Sequence, residues 1–206
     1  MHISEGVLSP EILVAGAVLT AVGIGVGLKG IDDPEKLPSV GILSAAFFVA
    51  SLIHVPIGPS SVHLILNGLL GIVLGWKAFP AILVGLALQA LLFQFGGITT
   101  LGVNTLNMAL PAVMCYYVCK GFLKLHSGQT VLFLAAFASG FLAVLFSSIL
   151  VGLSLYLTGE AFLLAAKLII AAHVPVMIIE GILTSACVLF LRKVKPEMLE
   201  EGHASN

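Results

Sequence analysis

Charged residues are scarce in this 206-residue chain. Asp, Glu, Lys and Arg together make up 9% of it, while hydrophobic residues make up 59%. Soluble globular domains carry about 25% charged residues. The net charge is −1 and no basic patch exists, which argues against binding to nucleic acid. We therefore predict an integral membrane protein that forms one bundle of helices and has no sizeable soluble domain.

Three further sequence signals are missing. No C-x-x-C spacing occurs among Cys115, Cys119 and Cys187, which favours small core residues over a disulfide or thiolate site. No Lys or Arg precedes the first apolar run, so we expect that run to be retained as a span and not removed with a leader. No G-x-x-x-x-G-K-[ST] loop is present, so any ATP hydrolysis must come from a partner.

Apolar runs predict an all-α membrane protein with seven transmembrane helices in one domain, residues 1–206. Segment 161–171 contains Lys167 and is predicted to be an interfacial or half-inserted helix. The outward loops 56–62 and 96–103 are expected to dip into the bundle, since several spans are short and rich in glycine. The predicted spans are residues 11–28, 39–55, 62–76, 80–95, 104–119, 131–157 and 172–191.

The basic residues fall in alternate loops, which predicts the orientation. Short loops that carry Lys and Arg stay on the cytoplasmic side of a membrane. With seven spans, this rule places the N-terminus outside and residues 193–206 in a cytoplasmic tail. The residues that follow the rule are Lys29, Lys36, Lys77, Lys120, Lys124, Arg192, Lys193 and Lys195.

The N-terminus itself is a candidate metal site. The Met1 amine, the His2 amide and His2 Nδ1 are close enough along the chain to close two fused chelate rings, and residues 1–10 form the predicted metal-binding segment. Planar nitrogen donors favour Ni(II) and Cu(II), with Co(II) acceptable. His63 is the preferred fourth ligand and His54 the less favoured one. The alternative is that a His at position 2 is accidental and disordered.

A second polar group lies in the same outward region. Thr100, Asn104 and Asn107 are expected to orient His2 or His63 through hydrogen bonds. The alternative is helix capping by Asn104 and interhelical packing by Asn107. Gln89 is interpreted as an interhelical contact only.

His173 and Glu180 stand two helical turns apart in the last predicted span. Ionisable groups within a membrane are costly and face the bundle interior or a cavity. They would either carry protons or escort a cation inward, or pair with neighbouring spans and hold the bundle in register. We favour the second role.

Several motifs resemble a known family. The start MHISEGVLSP is similar to the MHI-x-EG-x-L-x-P start of the CbiM/NikM proteins, the substrate-capturing membrane component of energy-coupling-factor transporters for cobalt and nickel. VPIGPSSVH, QALLFQFGGITTLGVNTLNMA and HVPVMIIEG extend the similarity across the chain. The loop before His63 departs from the Gly- and Thr-rich run of some nickel-type members, which leaves the choice of metal open.

The resemblance implies a metal held by the Met1 amine, the His2 amide and imidazole, and His63. It also implies a multi-pass protein of the prokaryotic inner membrane, a transmembrane coupling subunit, cytoplasmic ATPase subunits and a small accessory membrane protein. The metal, Ni(II) or Co(II), would serve nickel enzymes or cobalamin synthesis. The chain itself would not be an enzyme.

Two other functions stay open at this point. The chain would be a self-sufficient secondary permease if His173, Glu180 and Lys167 coupled proton movement to metal movement. It would be a haem-binding electron carrier if His54 or His63 paired with His173 at matching depth. The preferred prediction is capture of the metal outside, followed by ATP-driven release inside.

Overall fold

A computed structural model describes residues 1–29, 37–52, 54–125 and 128–199. The predicted loop at Lys36 and the end of the predicted tail, residues 200–206, lie outside these ranges. Two short 3-10 turns, Gly75–Lys77 and Glu160–Phe162, precede α4 and α7. The main elements are α1 (Pro10–Leu28), α2 (Leu37–Ala50), β1 (His54–Ile57), β2 (Ser60–His63), α3 (Asn67–Leu74), α4 (Ala78–Phe93), α5 (Leu101–Leu125), α6 (Gln129–Thr158), α7 (Leu163–Ala172) and α8 (Val174–Val194).

The helices are long and apolar because a backbone that crosses lipid has to satisfy its own hydrogen bonds. Five segments in the described ranges have the length and composition of membrane spans, and α2 is a shorter apolar helix. The predicted spans 62–76 and 80–95 become α3 and α4, while segment 161–171 continues into α8. The count of seven spans and the orientation of the ends stay predictions. The five segments are Pro10–Leu28, Asn67–Phe93, Leu101–Lys120, Gln129–Thr158 and Glu160–Val194.

The expectation of a purely helical fold is wrong in one place. Residues 54–63, predicted as the ends of two spans and the outward loop between them, form the antiparallel hairpin β1–β2, in which His54 lies opposite His63. The turn contains Gly58 with a positive φ of 55°, which glycine adopts without steric cost. The strands contain β-branched Val55, Ile57 and Val62, a residue type that favours extended chain.

Small residues bring the central helices into close contact. A Cβ on Gly68 of α3 would lie 2.6 Å from the Cα of Gly140 in α6, and one on Gly140 would lie 2.7 Å from Thr184 Oγ1 in α8. Gly71 packs in the same way on the backbone of Ala112 in α5. Such contacts let helices associate by backbone packing, so α3 is clamped among α5, α6 and α8.

The chain between β2 and α3 is irregular, and Glu180 of α8 accepts hydrogen bonds from its backbone amides. The amides of Ile65 and Leu66 donate to the Glu180 carboxylate, at 2.9 and 3.1 Å for the two Leu66 contacts. Glu180 is fully buried, and a carboxylate next to a helix N-terminus is electrostatically favourable. Of its two predicted roles, this contact supports pairing that holds the bundle in register.

Replacing Glu180 is therefore expected to destabilise the fold. Glu180→Ala leaves two buried amides without an acceptor, which costs about 1–3 kcal/mol for each unsatisfied group. Glu180→Gln keeps one acceptor oxygen and should cost less. Thermal unfolding of the detergent-solubilised protein measures the difference, with Glu160→Ala as an exposed control. Equal midpoints for Glu180→Ala and Glu160→Ala would contradict this role.

Candidate metal site

The N-terminal segment is inserted into the bundle. Met1 and Ile3 are fully buried, and His2 is 4% exposed. The Met1 amine donates to the carbonyl oxygen of Ser61 in β2, and the Ser4 amide donates to the Pro59 carbonyl at 3.2 Å. Burial lowers the pKa of the Met1 amine well below its ordinary value of 8.0. The amine is therefore held in a site that favours the neutral form, which is the form that binds metals.

Asn104 of α5 fixes the backbone beyond His2. Its Oδ1 accepts from the Ile3 amide at 2.9 Å, and its Nδ2 donates to the Ile3 carbonyl at 3.1 Å. Thr100 Oγ1 accepts a further bond from the same Nδ2 at 3.2 Å. A Cβ on Gly96, whose φ is +74°, would lie 2.9 Å from the Asn104 amide. The glycine loop thus lets the N-terminal segment approach α5 closely.

Gln89 of α4 sets the tautomer of His2. The Gln89 amide nitrogen donates to the Phe48 carbonyl at 3.0 Å and to the Ser51 hydroxyl, so its oxygen is left to face the imidazole. His2 Nε2 lies 2.7 Å from that oxygen and must carry the proton, since an amide oxygen only accepts. The lone pair is then on Nδ1, which is buried and has no partner.

His63 at the end of β2 faces the same point. Its Nδ1 donates to the Leu64 carbonyl at 2.7 Å, which leaves the lone pair on Nε2, buried and without a partner. The ring centroids of His2 and His63 are 4.6 Å apart. Burial lowers the pKa of His2 to about 3 and also lowers the pKa of His63. Both rings are therefore neutral.

The structure thus brings together Met1, His2 and His63, as the sequence predicts. The available donors are all nitrogens: the amine, the His2 amide, His2 Nδ1 and His63 Nε2. Within the described ranges, no group of three or more His, Cys, Asp and Glu side chains is arranged to hold a metal. A metal held here would therefore need main-chain nitrogens as ligands, and a set of nitrogen donors suits Ni(II) and Cu(II).

His54 lies beside this site. It is half-buried, its Nδ1 is 3.2 Å from the Leu52 carbonyl, and its ring packs edge-on against Phe95 with centroids 4.0 Å apart. Together with His2 and Ser4 it lines a cavity of about 170 Å³ that opens to the surface. Neither His63 nor His173 lines this cavity, so it does not bring together the histidine pair that the haem hypothesis requires.

All three predicted orienting residues, Thr100, Asn104 and Asn107, behave differently from expectation. Asn107 does not reach His2 or His63; its Nδ2 donates to Ser154 Oγ of α6 at 3.3 Å, which is the interhelical packing alternative. Asn104 bonds to the Ile3 backbone and Thr100 bonds to Asn104, so neither acts on an imidazole. One turn of helix separates Asn104 from Asn107, and only Asn104 is level with the inserted N-terminus.

Gln89 is the contact that sequence reasoning missed. It was interpreted as an interhelical contact, which is correct for its bonds to α2 but leaves out its bond to His2. The available signal was its place in the QALLFQ block, immediately before the glycine loop that covers the N-terminus.

Comparisons with known proteins agree with this arrangement. The family profile "Cobalt uptake substrate-specific transmembrane region" matches residues 2–198. A Haemophilus influenzae protein named for metal transport is 42% identical over 97% of each chain. A Methanocaldococcus jannaschii protein named for cobalt transport, CbiM, is 31% identical over 97% of this chain and 90% of its own. A solved structure titled as a transition metal transporter superposes with a TM-score of 0.83, at 27% identity, covering 99% of this chain and 98% of its own.

The fold and the matches define a multi-pass membrane protein for metal transport. The chain belongs to the CbiM family of cobalt-uptake substrate-specific transmembrane regions. It is a component of cobalt and nickel transport, and its family is a transport component and not a known enzyme. The resemblance identified from the sequence is confirmed.

Removing the Gln89 contact is expected to weaken metal binding. In Gln89→Ala the His2 ring loses its fixed tautomer and orientation, and losing such an orienting contact typically costs about 10–100-fold in affinity. Asn107→Ala is the control, because its side chain bonds only to Ser154. Calorimetry with Ni(II) on the purified variants measures both. Similar losses in the two variants would contradict the role assigned to Gln89.

Proposed function

We propose that this chain captures Ni(II) or Co(II) from outside as the substrate-binding component of an energy-coupling-factor transporter. The observation that carries the proposal is the buried N-terminus, whose amine lies beside two neutral imidazoles with unpaired lone pairs. A buried acceptor without a partner costs folding free energy. A bound metal ion would supply the partner that the two imidazole lone pairs lack, which would offset this cost.

Of the two metals, the donor set favours Ni(II). Four nitrogens in one plane, one of them a deprotonated amide, give the strong tetragonal field that Ni(II) accepts more readily than Co(II). The neutral state of both imidazoles means that no proton has to leave them before the metal binds. The amide proton must be lost, so affinity should fall as the pH falls.

The energy for release is proposed to come from partners. The printed sequence has no nucleotide-binding loop, and the family resemblance implies a membrane coupling subunit, ATPase subunits and a small accessory membrane protein. The competing proton-coupled permease requires a titrating carboxylate inside the bundle. Glu180 is engaged by the amides of Ile65 and Leu66, which supports the partner-driven alternative.

Blocking the N-terminus is expected to abolish high-affinity binding. One residue added before Met1, or acetylation of the amine, removes the amine ligand and breaks the fused rings. His63→Ala should also cost most of the affinity, whereas His54→Ala should cost little. Calorimetry with Ni(II) and with Co(II) compares the intact and modified chains. Tight metal binding by a blocked chain would contradict the proposed site. Equal losses of affinity in His63→Ala and His54→Ala would mean that the fourth ligand is misassigned.

Uptake should require ATPase partners. Vesicles that contain this chain alone are expected to accumulate no Ni(II) above the amount that the protein binds, with or without a pH gradient. Vesicles that also contain the coupling and ATPase subunits should accumulate Ni(II) when ATP is enclosed in the vesicle, on the side of the membrane that carries the ATPase subunits. Proton-dependent accumulation by the chain alone would favour the permease.

A further inference from the structure

The inserted N-terminal segment reaches α1 through a short exposed stretch. Residues 1–3 are buried, whereas residues 4–6 are exposed. Leu8 is buried again, with an exposure of 7%, and the Ser9 amide donates to Thr158 Oγ1 of α6 at 3.5 Å. Residues 1–3 can therefore leave the bundle while α1 stays in place, because the exposed stretch separates the two.

Glu5 connects this exposed stretch to the loop that precedes α5. Its Oε1 accepts from the Thr99 amide at 3.1 Å and from Thr99 Oγ1 at 3.4 Å. Gly97 leaves the space that the Glu5 side chain occupies, since a Cβ at that position would overlap with Glu5 Cγ and Cδ. The loop is thus shaped to receive Glu5, and a side chain at position 97 would displace it.

The buried part of the segment is held by the same region of the chain. Asn104 of α5 bonds to both backbone groups of Ile3, and a Cβ on Gly96 would lie 3.6 Å from the Ile3 carbonyl oxygen. Asn104 therefore holds the buried end of the segment, and Glu5 holds it two residues further on, at the surface. A surface contact can break without opening the bundle, so Glu5 is the contact that can be released first.

The Met1 amine is out of reach of solvent while the segment is inserted. Met1 is 0% exposed, and it does not line the cavity that His2 and His54 share. The cavity reaches His2, but the proposed chelate also needs the amine. A dissolved ion or reagent therefore reaches the amine only when the segment moves.

We propose that Glu5 is a positioning residue for the N-terminal metal site. Its contact with Gly97 and Thr99, the Glu5 latch, keeps the segment inserted and controls how often the segment opens to take up or release the ion. This inference rests on the proposed function. Glu5 itself does not bind the metal, because its carboxylate is engaged by Thr99 at the surface.

The test measures how fast the Met1 amine reacts with an acetylating reagent in the metal-free full chain in detergent, with peptide mass spectrometry as the readout. Glu5→Ala should react about tenfold faster than the unmodified chain, the lower end of what a hydrogen bond to a charged group contributes. Glu5→Gln keeps an acceptor oxygen for the Thr99 amide and should restore most of the slow reaction. Glu11→Ala is the matched control, because that carboxylate bonds to Ser9 beside α1.

Gly97→Ala tests the same contact from the side of the loop. The added Cβ displaces the Glu5 side chain, so the reaction of Met1 should accelerate by a similar factor. The double variant Glu5→Ala/Gly97→Ala should react little faster than either single variant, since both changes remove one contact. Lys77, which is 6% exposed, reports opening of the whole bundle in the same experiment, and its reaction rate should not change.

Release of Ni(II) to an excess of chelator should accelerate in the same variants. An unchanged reaction rate of Met1 in Glu5→Ala, or an equal acceleration at Met1 and Lys77, would overturn the Glu5 latch and leave the N-terminal chelate untouched. Tight Ni(II) binding by a chain with a blocked N-terminus would overturn the chelate instead, and a faster reaction of Met1 in Glu5→Ala would still support the latch.

Discussion

The site depends on one unusual constraint, the burial of a polypeptide's own amine inside a helical bundle. A buried amine and its neighbouring amides would normally be costly without partners. Here the Ser61 carbonyl accepts from the amine, and Asn104 pairs with both backbone groups of Ile3 in the manner of a neighbouring strand. The hairpin and α5 therefore both position the N-terminus through its main chain, and the bond between His2 Nε2 and Gln89 adds a side-chain contact.

Three buried imidazoles share a second property: neutral oxygens fix their tautomers. Gln89, Leu64 and Ile169 supply amide or carbonyl acceptors to His2, His63 and His173. A carboxylate acceptor would make a ligating imidazole more basic and the metal bond stronger. Neutral acceptors orient the rings without that gain, which suits a cargo that has to be released.

The sequence predicted which candidate ligands lie together better than it predicted the contacts that support them. Met1 and His2 follow from covalent chelate geometry, which does not depend on the fold, and His63 follows from its place after an outward loop. The hairpin was missed because its apolar residues extend two helical runs, and four-residue strands have too little periodicity to compete with that signal. Gln89 and Asn107 look alike in sequence, as single amides in apolar helices. They differ in whether the inserted N-terminus reaches their level in the bundle, and that level depends on the tertiary structure.

Glu180 links the metal site to the rest of the bundle. Its carboxylate holds the amides at the head of α3, two residues beyond His63, while α3 packs through Gly68 and Gly71 on the backbones of α6 and α5. Protonating this carboxylate for ion coupling would weaken the contact that keeps β2 in place, because the charged form is the stronger acceptor. One group cannot both hold the chain next to His63 in place and exchange protons in each cycle. A displacement of α3 or α8 by partners would instead move His63 directly, so mechanical coupling fits this connection better than proton coupling does.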